Sequence, residues 1–130
     1  VLFRSFQIIA TFLTIIIFSV GISPAFALYS VPEIKIDKKQ PIQCIAKPIE
    51  HMNGKKTLLT GNFRGSISAY YSITSDGGTQ LWKSKAGVMY GNAAFKNIQI
   101  PVDSKNVNFC VGRAFSEPAR GSATYDVIYQ

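Results

Sequence analysis

The chain is short of the residues from which most enzyme sites are assembled. Its 130 residues include 1 His and 2 Cys, and 7 Asp and Glu stand against 14 Lys and Arg. A single imidazole, His51, excludes a multi-histidine metal centre and any mechanism that needs two imidazoles. Neither Cys44 nor Cys110 has a second Cys or His at ligand spacing, which argues against a thiolate metal site. No Gly-x-Ser-x-Gly turn occurs, and Arg64-Gly65-Ser66-Ile67-Ser68 does not supply one. A phosphate-binding loop and a paired-cysteine motif are missing, as is any Asn-x-Ser/Thr acceptor after residue 27. What remains for catalysis is Glu50 beside His51. A small nuclease-like hydrolase would have to use that pair with basic groups, whereas a lone loop histidine is more often only a surface residue. Nothing in the sequence calls for a cofactor or a metal.

Long apolar stretches are also rare, with one exception at the N-terminus. After Arg4 the chain is apolar or small from Ile8 to Ile22, centred on Ile15-Ile16-Ile17-Phe18. Pro24-Ala25-Phe26-Ala27 follows, with small residues at the positions that signal peptidase reads. The run is at or below the roughly 20 residues a bilayer-spanning helix needs. Residues 1–27 therefore read as a cleaved signal peptide and residues 28–130 as one secreted or periplasmic domain with no membrane span. No cysteine closely follows the apolar run, which argues against a lipid anchor.

Arg4 is the one basic residue before Leu28, so 13 of the 14 Lys and Arg and all 7 Asp and Glu lie in the expected mature domain, formally +6. Most of these cations are lysines without a long run, a pattern that suits solvated surfaces and protected sheet edges. The same charge attracts anionic surfaces and glycans. In an oxidising compartment, Cys44 and Cys110 allow one intramolecular pairing. In the chain-entropy model a bridge over that loop contributes about 4 kcal/mol, comparable to the whole stability of a small domain.

No segment of useful length has a helical period, and strand signals dominate. In Ser66–Thr74, Ile67, Ala69, Tyr71 and Ile73 alternate with Ser66, Ser68, Tyr70, Ser72 and Thr74, which predicts one buried and one wet face. Ser75-Asp76-Gly77-Gly78 then signals a hairpin, and a return strand follows from Thr79 to about Lys85. Further strands are predicted over Glu33–Asp37, Ile42–Lys47, Thr57–Phe63, Ala94–Ile100, Asn106–Phe115 and Ala123–Tyr129. Pro48 and Pro101 end the strands before them. The segment 48–56 is a loop with a turn at Asn53-Gly54, and 87–96 is ambiguous between strand and helix. The spacing predicts a small antiparallel β-sandwich or barrel of seven or eight strands, closed by one disulfide. Trp82 lies too far past Cys44 for the immunoglobulin arrangement.

The leading functional expectation is a non-enzymatic binding module for an anionic surface, a glycan or a protein partner. Its candidate residues are Tyr70, Trp82, Lys83, Lys85 and Tyr90, since exposed aromatics beside Lys can stack on sugars or bases. Two alternatives stand: the His51 hydrolase, and a surface-assembly subunit that pairs through its C-terminal strand. Mass spectrometry of the protein exported by a bacterial host should give an N-terminus at Leu28, within about two residues. Recovery of the intact chain in the membrane fraction would contradict this.

Overall fold

The computed structural model describes residues 28–85, 91–114 and 118–130. The expected signal segment, Tyr90 and Phe115 lie outside them. The described residues hold no helix and eight strands: β1 (Tyr29–Ile36), β2 (Ile42–Pro48), β3 (Thr57–Gly65), β4 (Ala69–Ser75), β5 (Gln80–Lys83), β6 (Asn92–Gln99), β7 (Asn106–Arg113) and β8 (Ala119–Tyr129).

Alternation in the sequence becomes alternation in burial. In β4, Ala69, Tyr71, Ile73 and Ser75 are buried while Tyr70, Ser72 and Thr74 are half-buried. Val107, Phe109 and Val111 of β7 are fully buried on the same principle. The chain reverses after β4 where expected. Gly78 takes a φ of 82°, the Ser75 amide donates to Thr79 O at 2.9 Å, and the Gly78 amide donates to Ser75 O at 3.0 Å. Asn53-Gly54 also turns the chain, with Gly54 at φ 73°.

From this hairpin the pairing nests outward. β4 pairs with β5, β3 with β6, β2 with β7 and β1 with β8, all antiparallel. Two further pairings, β3 with β8 and β4 with β7, roll the nested hairpin into two four-stranded sheets ordered β1-β8-β3-β6 and β2-β7-β4-β5. That strand order is a jelly roll, the double-sheet sandwich built from Greek-key connections.

Between the sheets lies an aromatic layer centred on Phe63. Its ring stacks on Tyr71 at 4.7 Å and on Trp82 at 5.8 Å, and meets Phe95 at 5.6 Å and Phe109 at 5.8 Å. The layer continues through Phe109 to Tyr125 at 4.9 Å, and on to Tyr29 at 5.3 Å. Each such ring brings a large apolar area and a contribution from pair geometry. Gly65 and Gly121 face each other on β3 and β8, and the Tyr71 ring is seated on them. A Cβ at either glycine would overlap that ring. The Tyr71 hydroxyl meets no hydrogen-bond partner among the described residues, and burial pushes its phenol above the ordinary value of 10.0.

The disulfide forms as expected, joining Cys44 and Cys110 over a sequence separation of 66. The two cysteines are direct cross-strand neighbours on β2 and β7, so the bridge lies within one sheet.

Several boundaries differ from the sequence reading, and three of them have a clear physical cause. Ile67 was expected on a buried face but is 67 % exposed. The chain turns at 66–68, where the Ser68 amide donates to Ser66 Oγ, and β4 begins only at Ala69. β1 starts before Pro32, because a bulge between Val31 and Ile34 on an edge strand accommodates the proline. β8 begins four residues early, at Ala119, because Gly121 is required by the ring above it and does not break the strand.

Gly121→Ala should lower stability by about 1–3 kcal/mol through overpacking, as read from the urea unfolding midpoint. An unchanged midpoint would show that the Tyr71 seat is not tight.

Candidate functional site

The outer face of the β2-β7-β4-β5 sheet gathers three of the five expected binding residues. Strand register sets this arrangement. Gly112 of β7 lies between Ile42 of β2 and Tyr70 of β4. One step along, Cys110 lies between Cys44 and Ser72, and Ser72 pairs with Lys83 of β5. The Ser84 amide donates to Tyr71 O at 2.8 Å and the Tyr71 amide donates to Ser84 Oγ at 3.0 Å, so the register continues past β5. Ser84 is buried, and the exposed Lys83 and Lys85 flank it on the outer side. Lys85 therefore follows Tyr70 in the row that begins with Ile42 and Gly112.

The shape of this face follows from Gly112. With no side chain there, Gly112 separates Ile42, which is 66 % exposed, from the half-exposed Tyr70. A Cβ at Gly112 would meet Ile42 Cγ1 at 3.6 Å and Tyr70 Cβ at 3.9 Å, ordinary contact distances. Packing therefore does not demand glycine here, and its effect is that no side chain stands between Ile42 and Tyr70. Neither Lys83 nor Lys85 is paired with a carboxylate among the described residues; the ion pairs there join Glu33 to Lys35 and Arg120.

Trp82 points the other way. It stacks on Phe63 with an interplanar angle of 6° and touches Phe95 at 5.5 Å, so most of the indole belongs to the core. It is only half-buried, however, and lines a cleft of ≈ 370 Å³ between β5 and β6 with Lys83, Ser84, Lys85, Asn92, Ala93 and Ala94. The two lysines thus stand between the Tyr70 face and the Trp82 cleft. Tyr90 lies outside the described residues.

His51 and Glu50 form no dyad. His51 Nε2 lies 2.6 Å from Ser104 O and Nδ1 lies 2.9 Å from Thr57 Oγ1. A carbonyl only accepts, so Nε2 carries hydrogen, and in the neutral ring Nδ1 accepts from the threonine hydroxyl. Both nitrogens are used within the protein: Nε2 ties the 48–56 loop to Ser104, and Nδ1 ties it to Thr57 at the start of β3. Ser104 Oγ also donates to Asn106 O and accepts from the Asp76 amide, and the Asp76 carboxylate takes the Lys105 and Asn106 amides. Glu50 instead offers its backbone carbonyl to the Tyr129 hydroxyl at 2.8 Å. Burial first, and then the Glu50 charge, raises the Tyr129 phenol above its ordinary value. No group of three or more His, Cys, Asp or Glu suited to a metal occurs among the described residues.

Ile42, Gly112, Ser72 and Asn108 were not singled out from the sequence. Part of that arrangement was within reach. If Cys44 and Cys110 are antiparallel cross-strand neighbours, Ile42 must oppose Gly112. The adjacency of β4, which brings Tyr70 alongside, has no local signal.

What fold and register define together is a jelly-roll sandwich whose β2-β7-β4-β5 sheet carries Tyr70, Ser72 and Lys83 on its outer face. No protein-family model matches the sequence, and no curated protein matches it.

His51→Ala should cost about 1–3 kcal/mol, because the Thr57 hydroxyl and the Ser104 carbonyl both lose a partner in a partly buried site. Chemical denaturation measures this, and a variant as stable as the parent would refute the strut role.

Proposed function

We propose that this domain is a non-enzymatic binding module for an anionic glycan, held on the outer face of the β2-β7-β4-β5 sheet and along its β5 edge. The observation that carries the reading is the row Ile42–Gly112–Tyr70, ending at Lys85 with Lys83 beside it. A sugar ring presents apolar C–H faces and an equatorial rim of hydroxyls. The half-exposed Tyr70 ring offers a stacking surface, and the exposed lysine ammonium groups suit carboxylate or sulfate substituents. Ser72, Thr74 and Asn108 supply neutral donors and acceptors on the same face. The net positive charge adds longer-range attraction.

The hydrolase alternative finds no comparable support, since both His51 nitrogens are committed within the protein. The assembly alternative has less free backbone to start from: β8 is bordered by β1 as far as Tyr125 and by β3 through Tyr129.

Retention on an immobilised sulfated or uronate glycan should fall as salt rises, through screening of the lysines. Tyr70→Ala should weaken retention by about 1 kcal/mol, or several-fold, with the fold intact, and replacing Lys83 and Lys85 together by Gln should flatten the salt dependence. Trp82→Ala should instead cost about 3–5 kcal/mol of stability. Retention indifferent to Tyr70 and to both lysines would refute the site, and cleavage of RNA or DNA abolished by His51→Ala would refute the function.

A further inference from the structure

A sandwich leaves two edge strands per sheet, each with a row of unpaired peptide groups that can template another chain. Here the edges are β1 and β6 in one sheet, and β2 and β5 in the other. Three of them are irregular. The β1 register shifts between Val31 and Ile34, next to Pro32. β5 has only 4 residues and carries an extra one between its pairings of Trp82 with Ile73 and Gln80 with Thr74. β6 carries an extra residue opposite the Leu59–Gly61 step, where Asn97 takes a φ of 54°. Bulges twist an edge away and interrupt pairing.

β2 is the exception. It keeps unbroken register with β7 from Ile42↔Gly112 to Pro48↔Asn106. The flanking hydrogen bonds fix which groups point outward. The Arg113 amide donates to Pro41 O at 3.0 Å and the Ile49 amide donates to Lys105 O at 2.8 Å, so the odd-numbered residues bond to β7. The peptide groups of Ile42, Cys44 and Ala46 therefore face away from the sheet, unpaired among the described residues. The next outward position is Pro48, which has no N–H and ends the row.

We propose that the free edge of β2 is a strand-docking site for an extended peptide with an alternating apolar centre and acidic ends. Charge selects this occupant. Lys38 and Lys39 precede the strand, Lys47 stands near its end, and none of them is ion-paired among the described residues. The carboxylate before the strand, Asp37, is turned onto the amides of Lys39 and Gln40, and Glu50 lies two residues past Pro48. A second copy is disfavoured by the same residues. A two-fold antiparallel pairing centred on Cys44 would set Lys47 of each copy opposite Pro41 of the other, beside Lys38 and Lys39. This surface is separate from the Tyr70 row and does not rest on the glycan reading.

The probe is a fluorescein-labelled peptide of alternating valine and threonine with paired aspartates at both ends, about nine residues long, within the length of ordinary strands. Titration into the purified protein should give saturable anisotropy, with amide exchange slowed at Ile42, Cys44 and Ala46. Ala46→Pro should weaken binding by about tenfold or more, because it removes a docking N–H that β7 does not use. It should fold, since Pro48 already occupies the equivalent outward position, and a thermal melt checks this. If it does not fold, the exchange pattern of the unaltered protein decides. The proposal is overturned by unchanged binding to folded Ala46→Pro, by equal binding of a lysine-ended peptide, or by protection at β1, β5 or β6 instead. Absence of saturable binding, or a dimer through β2 in sedimentation, also overturns it.

Discussion

The two sheets are held face to face chiefly by packing, and Phe63 is where that packing converges. The disulfide joins β2 to β7 inside one sheet and contributes nothing directly to keeping the sheets together. Phe63 reaches from β3 into a ring of aromatics supplied by β4, β5, β6 and β7. Its partners include residues from both sheets, so the position of one side chain fixes where four other strands place theirs. The Gly65 and Gly121 seat extends this constraint by letting Tyr71 cross the sandwich fully. Close-packed interiors transmit such fits across the whole domain.

The surfaces with functional promise are consequences of that interior. Trp82 is drawn inward by Phe63, and the strict alternation of β5 beyond it turns Lys83 and Lys85 outward. Tyr71 occupies the core, so Tyr70 must face solvent. The positions of the cations and of Tyr70 therefore follow from the aromatic layer by periodicity. The edges show a complementary logic: irregularity marks three of them, while β2 stays straight where the bridge clamps it to β7.

Much of the fold was legible in the chain because its signals are local. All eight strands, the Ser75–Gly78 reversal and the single cysteine pairing follow from alternation, turn chemistry and counting. What could not be read is which strand lies beside which. Ile67 shows how a local pattern can mislead: its spacing matches Ala69, Tyr71 and Ile73, yet the turn at 66–68 carries it into solvent. Gly121 looks like a strand breaker until Tyr71 is seen against it. Of the candidate site residues, Tyr70 and the two lysines come to lie on one face, while Gly112 gains its meaning only from a neighbour 42 residues away in sequence, since β4 and β7 adjoin in space. The Ser104 anchor of His51 lies between loops whose meeting no local pattern reveals.

The nested pairing also bears on how quickly such a chain reaches its structure. Only the innermost hairpin joins neighbours in sequence; the outermost ring brings Tyr29 against Tyr125. Topologies dominated by such distant contacts belong to the slow class, with folding times of roughly milliseconds to seconds. Loop-closure entropy rises only gradually with length, so each closed ring lowers the search left for the one outside it. The cysteines sit in the third ring. Once oxidised, they hold β2 against β7 even in a disordered chain, and β1 and β8 then start their search from tethered ends. On this view the bridge speeds the last step of assembly as well as steadying the finished domain.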